Sequence, residues 1–132
     1  GHIIVVGMNT LGRRLVHAFT ERGEQVIAID TDPSKLAGLS AELVVGTADH
    51  PGVLAEANFN SAKLIVSTLQ IEDANNLLAF RAHEAGVPSS IHAFDPSLID
   101  ELQMLGADHL MVSKHDGIRQ VAAALRDAGV ID

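Results

Sequence analysis

The first thirty residues constrain the fold more than any other part of the chain. An apolar run from Ile3 to Val6 is followed by a glycine-containing turn, a helix-like stretch and a second apolar run that ends at Asp30. Such an apolar run suits a strand buried on both faces of a parallel sheet. Gly7 permits a sharp turn off the strand end, and Gly12 permits close packing of the helix that follows. The pattern predicts a βαβ unit.

The turn of this βαβ unit predicts a nucleotide site. The free N–H groups and the positive dipole end at the helix N-terminus favour a phosphate. Asp30 lies 23 residues after Gly7, where the dinucleotide fingerprint places an acid that holds ribose hydroxyls and disfavours NADP. The alternative is that Asp30 only caps the turn that follows it, as Asp32 is expected to do for the helix after Pro33.

Asn9 departs from the G-x-G-x-x-G fingerprint, in which the middle glycine leaves room for the pyrophosphate. Asn tolerates positive φ, so we expect the turn to survive and the side chain either to hydrogen-bond the ligand or to crowd it. The substitution raises the expectation of a mononucleotide. The alternative is a Rossmann-like turn that has lost its ligand.

Composition excludes several other classes of function. The 132 residues suit one domain, and no apolar run approaches the ~20 residues that span a bilayer. The absence of cysteine excludes disulfides and thiolate chemistry. A net charge of −8, with neither Tyr nor Trp, argues against nucleic acid as a partner. The seven histidines lack the spacing of a metal site.

Strand-like and helix-like segments alternate along the chain. The predicted strands are residues 3–6, 25–29, 42–45, 63–68, 90–93 and 109–112, and the predicted helices are 11–22, 34–39, 51–57, 73–85, 96–105 and 116–128. Helix starts at Asp32-Pro33, His50-Pro51 and Asp95-Pro96, and glycine caps at 23, 86 and 106, support these boundaries. The expected fold is an α/β, Rossmann-like, doubly wound parallel six-stranded sheet of order 3-2-1-4-5-6 in a single domain.

In this order the ends of strands 1 to 4 surround one crevice. Small residues after strand 3 would let the backbone approach an adenine, or they form a plain turn. Hydroxyl residues at the end of strand 4 would line the ribose and phosphates. The candidate cofactor-binding residues are Gly7, Met8, Asn9, Thr10, Leu11, Gly12, Asp30, Thr31, Thr47, Ala48, Asp49, Ser67 and Thr68.

Some residues have two open interpretations. Asn75 and Asn76 either begin a helix or reach a second phosphate or a nicotinamide. Arg13 and Arg14 either meet a phosphate, or are solvated or paired with acids. The helix at 116–128 either docks on a partner subunit or packs within the chain. Catalytic residues are not expected, because the chain has no Tyr for a short-chain dehydrogenase, no G-x-S-x-G elbow and no P-loop.

The whole chain resembles the N-terminal RCK domain (regulator of K⁺ conductance), also called TrkA-N. The resemblance rests on I-V-V-G-M-N-T-L-G (residues 4–12), V-I-A-I-D-T-D (26–32), V-G-T-A-D (45–49) with L-A-E-A (54–57), and L-G-A-D-H-L-M-V (105–112). The segments V-S-T-L (66–69) and N-N-L-L (75–78) are similar to the tails of Kef-like monovalent cation:proton antiporters. Thr47 stands where the family prefers Asp, and Asn9 where it prefers Gly.

The resemblance implies a regulatory domain, spanning residues 1–132 and excised from a larger membrane transport protein. It implies that the domain binds an adenine nucleotide, NAD(H) or AMP, ADP or ATP, at the cytoplasmic face of the inner (plasma) membrane. The implied partners are a transmembrane cation transport domain and further copies in a homodimer or ring. The alternatives are an NAD-dependent oxidoreductase cofactor domain lacking its catalytic half and a dimerisation module with a dead site.

Overall fold

A computed structural model of the chain describes residues 1–92, 104 and 109–111. The predicted helix at 96–105, apart from residue 104, lies outside the described residues, as do the predicted helix at 116–128, the cap at Asp95 and the glycine cap at position 106. The family-like motif at 105–112 is described at 109–111.

The described chain alternates between strands and helices, as the sequence predicts. The strands are β1 (Ile3–Val6), β2 (Val26–Asp30), β3 (Glu42–Val45), β4 (Leu64–Ser67), β5 (Ser89–His92) and β6 (His109–Met111). The helices are α1 (Thr10–Glu21), α2 (Pro33–Leu36), α3 (Pro51–Glu56) and α4 (Glu72–Ala85), with a short 3-10 turn at Phe59–Ser61 that the sequence analysis did not predict.

All neighbouring strands are parallel, and their order is β3-β2-β1-β4-β5-β6. The predicted doubly wound fold and strand order are therefore confirmed. From β1 the chain adds β2 and β3 on one side of the sheet, and then β4 on the other side of β1. The order in which strands are added therefore reverses between β1 and β4. In open α/β sheets this reversal is where ligands bind, outside the carboxyl ends of the strands.

The two faces of the sheet carry separate apolar clusters. Alternate residues of β1 point to opposite faces. Ile4 and Val6 belong to the cluster that includes residues of α3 and α4, and Ile3 and Val5 belong to the cluster that includes residues of α1 and α2. Because every residue of β1 is buried, the strand end that positions the glycine turn is fixed from both sides.

Local capping explains where the helices begin and end. The side chains of Asp32 and His50 accept hydrogen bonds from the amides of Ser34 and Gly52, as expected for helix starts before proline. Gly86 ends α4 in the left-handed conformation, with φ of 71°. Helix α2 is shorter than predicted, because Ala37 is extended and Gly38 has φ of 79°. Within the described residues, none of the helices has both the length and the apolar character needed to cross a membrane.

Candidate functional site

A crevice of about 350 Å³ lies at the carboxyl ends of the strands, beside the β1–α1 turn. Its volume falls at the lower end of the range for small-molecule sites. It is formed by the ends of β1 and β2, the loop after β3, the loop between β4 and α4, the first turn of α4, and one residue of α2. The lining residues are Val6, Gly7, Ile29, Asp30, Thr31, Lys35, Gly46, Thr47, Ala48, Asp49, Leu69, Ile71, Asp73 and Ala74.

The crevice brings together only part of the set predicted from the sequence. Gly7, the pair Asp30 and Thr31, and the run Thr47–Asp49 line it. The remaining candidates are the glycine-loop residues at 8–12 and Ser67 and Thr68, which lie outside the lining. The structure therefore gathers the residues expected around a nucleoside, while the rest of the glycine loop does not line the crevice.

A larger groove of about 610 Å³ lies between α3 and α4, with Pro51, Phe80 and Arg81 among its lining residues. It contains no residue of the glycine turn or of the strand ends. The smaller crevice is the better candidate site, since it lies where the loops of four neighbouring strands converge.

The Asp30 carboxylate connects the loops on either side of the crevice. Its Oδ2 accepts a hydrogen bond from the Met8 amide at 2.7 Å, and its Oδ1 accepts one from the Asp32 amide at 2.8 Å. Asp30 therefore caps its own turn, as one sequence interpretation held. A carboxylate has about four acceptor positions, so these two bonds leave capacity for the two ribose hydroxyls of the other interpretation.

Asn9 is the N-cap residue of α1, and the turn does not need a positive φ at this position. Its φ is −69° and its ψ is −176°, whereas the positive φ in this loop belongs to Gly7, at 91°. Asn9 Oδ1 accepts from the Gly12 amide at 2.9 Å, and Nδ2 donates to the Thr68 carbonyl at 3.0 Å. From the sequence, ligand bonding or crowding is expected for this side chain, and the bonds that it makes within the protein are not.

Thr68 fastens the glycine turn to β4. Its hydroxyl donates to the Gly7 carbonyl at 2.7 Å and approaches the Val6 carbonyl at 3.2 Å, and the residue is fully buried. A Cβ built on Gly12 would lie 1.8 Å from the Gly7 carbonyl oxygen. The close packing predicted for Gly12 is therefore present, and Thr68 is a positioning residue of the turn.

A buried polar network supports the start of α4. The Ser67 hydroxyl donates to Asn75 Oδ1, and Asn75 Nδ2 donates to the Leu69 carbonyl at 2.8 Å. Asn75 lies in the first turn of α4 and is 1% exposed. These contacts agree with the helix-start interpretation of Asn75, and they give Ser67 a role in holding the β4–α4 loop.

Arg13 binds the end of α2 through its guanidinium group. It donates to the Lys35 carbonyl and, at 3.1 Å, to the Ala37 carbonyl. Arg13 therefore bonds to backbone carbonyls, a third possibility beside the phosphate and acid contacts considered from the sequence. Arg14 is exposed on the same helix.

The lining residues outside the predicted set include Val6 and Ile29 at the ends of β1 and β2, and others that come from α2 and from the region after β4. Leu69 and Ile71 belong to the loop after β4, and Asp73 and Ala74 to the first turn of α4. This region was expected near the crevice because β4 adjoins β1. Lys35 reaches the crevice from α2, and no motif in the sequence signals its position.

The crevice is predominantly acidic. Three of its lining residues are carboxylates, Asp30, Asp49 and Asp73, and Lys35 is the cation among the described lining residues. Nearby, hydrogen bonds from the Ser34 hydroxyl and amide hold the pKa of Asp32 below its ordinary value of 3.8. In the part of the chain that the structure describes, no three side chains of His, Asp or Glu are grouped so that they could hold a metal ion.

The parallel sheet, its order and the glycine turn define a Rossmann-type α/β domain. The family model of the TrkA-N domain matches residues 3–113 of the sequence, so the chain belongs to the TrkA-N family. This result confirms the family resemblance found in the sequence.

Relatives and solved structures agree with this assignment. The Ktr system potassium uptake protein A of Vibrio alginolyticus is 28% identical over 134 aligned positions, which cover 97% of this chain and 60% of that protein. The chain thus spans less than two thirds of its relative's length.

Two solved structures share the fold. The Kef CTD of Shewanella denitrificans in its AMP-bound form has a TM-score of 0.78 at 18% identity, over 98% of this chain and 82% of that one. The GsuK channel bound to NAD has a TM-score of 0.75 at 19% identity, over 84% of this chain and 21% of that one. At these identities the likeness concerns the fold.

Proposed function

We propose that this chain is the regulatory domain of a monovalent cation transport system and that it binds an adenine nucleotide in the crevice at the ends of β1, β2 and β3. The observation that carries the proposal is Asp30, a half-buried carboxylate at the tip of β2 that lines this crevice beside Gly7. The potassium uptake protein that is a relative, and the AMP-bound Kef CTD and NAD-bound channel that share the fold, support the same class.

The nucleoside would occupy the apolar and acidic parts of the crevice together. The apolar side chains of its lining include Ile29, Ala48, Leu69 and Ile71. Ile71 is 56% exposed, so a planar base placed against it would remove apolar surface from water. The ribose hydroxyls would then donate to Asp30, which retains acceptor capacity.

The phosphate end would approach the N-terminus of α1. The amides of Thr10 and Leu11 lie in the first turn, where helix geometry supplies no intrahelical acceptor. Together with the helix dipole they favour a negative charge at this point. The proposed site uses backbone donors for the phosphate and a carboxylate for the sugar, and it includes no catalytic group.

The regulatory mechanism would be linkage between nucleotide binding and the arrangement of paired domains. A nucleotide that binds one arrangement more tightly shifts the population toward it. In this proposal the domain works at the cytoplasmic face of the inner membrane, in a homodimer or ring, against a transmembrane cation transport domain of the same polypeptide or complex. Whether the transport domain is a K⁺ channel, a K⁺ uptake system or a cation:proton antiporter is an outcome of testing the full-length protein.

Titration calorimetry of the domain with AMP, ADP, ATP, NAD⁺ and NADH tests the proposal. We expect heat of binding with at least one of them, and a loss of about tenfold or more in affinity in Asp30→Ala. Asp32→Ala is the matched control, because it removes a neighbouring carboxylate that caps α2 and does not line the crevice. The absence of binding with all five nucleotides would reject the proposal.

A further inference from the structure

We propose that the outer edge of β3 is a pairing surface for a second copy of this chain, and that two copies join their sheets through antiparallel β3 strands centred on Leu43. The inference rests on the pairing of copies in the proposed function and names the surface that would carry it. It does not depend on which nucleotide the crevice binds.

The backbone of β3 leaves one side open. Among the described strands, β3 lies at the end of the sheet and pairs with β2 alone. The Gly46 amide donates to the Asp30 carbonyl at 3.0 Å, in the register that sets Asp30 against Val45. Along a strand, successive residues direct their N–H and C=O groups alternately to the two neighbouring sides. The N–H and C=O groups of Leu43 and Val45 therefore point away from β2, where another strand can pair with them.

The side chains of the same two residues form an exposed apolar stripe. Leu43 is 43% exposed and Val45 is 52% exposed. Val44 belongs to the apolar cluster that includes α3 and α4, so the alternation of side chains places Leu43 and Val45 on the opposite face of the sheet. The helix that precedes β3, α2, is a single turn whose buried residue is Leu36, and it leaves this stripe open to solvent.

The edge of β3 lacks the features that usually keep sheet edges from pairing. Edge strands of monomeric proteins are commonly protected by lysine, proline, a β-bulge or a covering element. β3 has the sequence E-L-V-V, with neither lysine nor proline, and its register with β2 runs without a bulge. Glu42 is its one charged residue. An apolar edge of this kind indicates a surface that another strand covers in the assembled protein.

A second copy of β3 fits this edge because the strand is complementary to itself. In a two-fold antiparallel pair centred on Leu43, this residue lies opposite its own counterpart, and the two exchange both backbone hydrogen bonds. Ala41 and Val45 then lie opposite each other on the same face, so that apolar side chains meet across the pair. Glu42 lies opposite Val44, so the two Glu42 carboxylates do not face each other directly.

Cysteine cross-linking tests both the surface and the register. The chain contains no cysteine, so a single introduced thiol gives an unambiguous signal. Leu43→Cys would place two thiols on a hydrogen-bonded pair whose Cα atoms lie about 5.5 Å apart, a separation that a disulfide spans. Val45→Cys is the matched control, because it lies on the same face of the same strand and its counterpart would be roughly 14 Å away.

We expect the wild-type chain to form dimers in analytical ultracentrifugation, with a Kd of about 100 µM or lower. Under mild oxidation, Leu43→Cys is expected to form a disulfide-linked dimer at least about tenfold faster than Val45→Cys. A mixture of Ala41→Cys and Val45→Cys chains should also cross-link, since these positions are opposite each other in the proposed register. Circular dichroism shows whether each variant keeps the fold.

A second pair of variants tests the surface without oxidation. Leu43→Lys is expected to raise the Kd of the dimer at least about tenfold, because it puts a charge on each side of the pair. Phe80→Lys is the control at an exposed apolar residue of α4, and it is expected to change the Kd less than about threefold.

A wild-type chain that stays monomeric up to about 1 mM overturns the inference. So does cross-linking of Val45→Cys as fast as that of Leu43→Cys, or a larger effect of Phe80→Lys than of Leu43→Lys. The nucleotide titrations distinguish this failure from failure of the proposed function. A chain that binds a nucleotide but does not pair through β3 overturns the inference alone, whereas a chain that pairs through β3 but binds none of the five nucleotides supports the inference and rejects the nucleotide site.

Discussion

The Met8 amide donates a hydrogen bond of 2.7 Å to Asp30 Oδ2, across 22 residues of sequence. The bond joins the turn after β1 to the tip of β2, and the register that pairs Val6 with Ile29 brings the two strand ends side by side. A second bond, from the Asp32 amide to Asp30 Oδ1, extends the connection to the start of α2. Asp30 therefore organises the crevice before any ligand arrives.

Replacing Asp30 by alanine is expected to lower the free energy of unfolding as well as nucleotide affinity. Two half-buried amides lose a charged acceptor, which corresponds to a loss of about 1.5–3 kcal/mol. Asp30→Asn is expected to recover only part of this free energy, because the NH₂ group of asparagine cannot accept a hydrogen bond from the second amide. Urea unfolding measures the effect. The control is Asp49→Asn, at an exposed residue of the same crevice, whose free energy of unfolding is expected to stay within about 0.5 kcal/mol of the wild type. An Asp30→Ala variant as stable as the wild type would contradict the role of these bonds.

Thr68→Val tests the attachment of the glycine turn to β4. Valine is close to threonine in shape but leaves the Gly7 carbonyl without its hydroxyl donor. We expect the free energy of unfolding to fall by about 1–3 kcal/mol. Thr68→Ser keeps the hydroxyl and removes a methyl group, and it is expected to cost about 1 kcal/mol. If the valine variant proves more stable than the serine variant, packing rather than the hydrogen bond holds the turn.

The fold was predictable because its signals are local and repeated. Apolar runs mark the strands, while proline at helix starts such as Asp32-Pro33 and the glycine after α4 mark helix boundaries. The strand order predicted from this alternation is confirmed by the structure. The positions of Gly7, Asp30 and Ala48 around one crevice also followed, because parallel strands end at the same edge of the sheet.

The finer features of the site depend on side-chain contacts that sequence spacing does not encode. The bond from Asn9 to Thr68 joins residues 59 positions apart, and the orientation of Ser67 away from the crevice depends on Asn75, which lies one helical turn into α4. Lys35 lines the crevice from α2, which is a single turn long. These features follow from packing, and no motif predicts them.

Gly12→Ala is expected to be severely destabilising, since its Cβ would lie 1.8 Å from the Gly7 carbonyl oxygen. Backbone lies on both sides of this contact, so relief requires α1 to move away from the sheet. We expect a loss above about 4 kcal/mol or failure to fold. Gly23→Ala is the matched control, because its Cβ meets nothing within 4 Å and only its φ of 82° is strained. That variant is expected to lose about 1 kcal/mol. Thermal and urea unfolding distinguish the two, and a mild effect at Gly12 would show that the helix can shift at little cost.

The start of α2 is expected to respond to acid through Asp32. Two hydrogen bonds from Ser34 hold the pKa of Asp32 below the ordinary value of 3.8, and the bond from its hydroxyl has a larger effect than the bond from its amide. The ionised form is therefore favoured in the folded state. Its contribution to stability is complete above the unfolded pKa and disappears as the pH falls through the lower, folded pKa.

Carbon-13 NMR of the Asp32 carboxyl group measures this pKa directly. We expect a titration midpoint below 3.8 in the wild type and a shift toward that value in Ser34→Ala, which removes the strongest of the causes. The difference in unfolding free energy between the wild type and Asp32→Asn should shrink as the pH falls through the same range. A wild-type midpoint at or above 3.8 would mean that the cap does not favour the charged carboxylate, and the stability of α2 would then depend on Pro33 and on the bonds from Arg13 to its last turn.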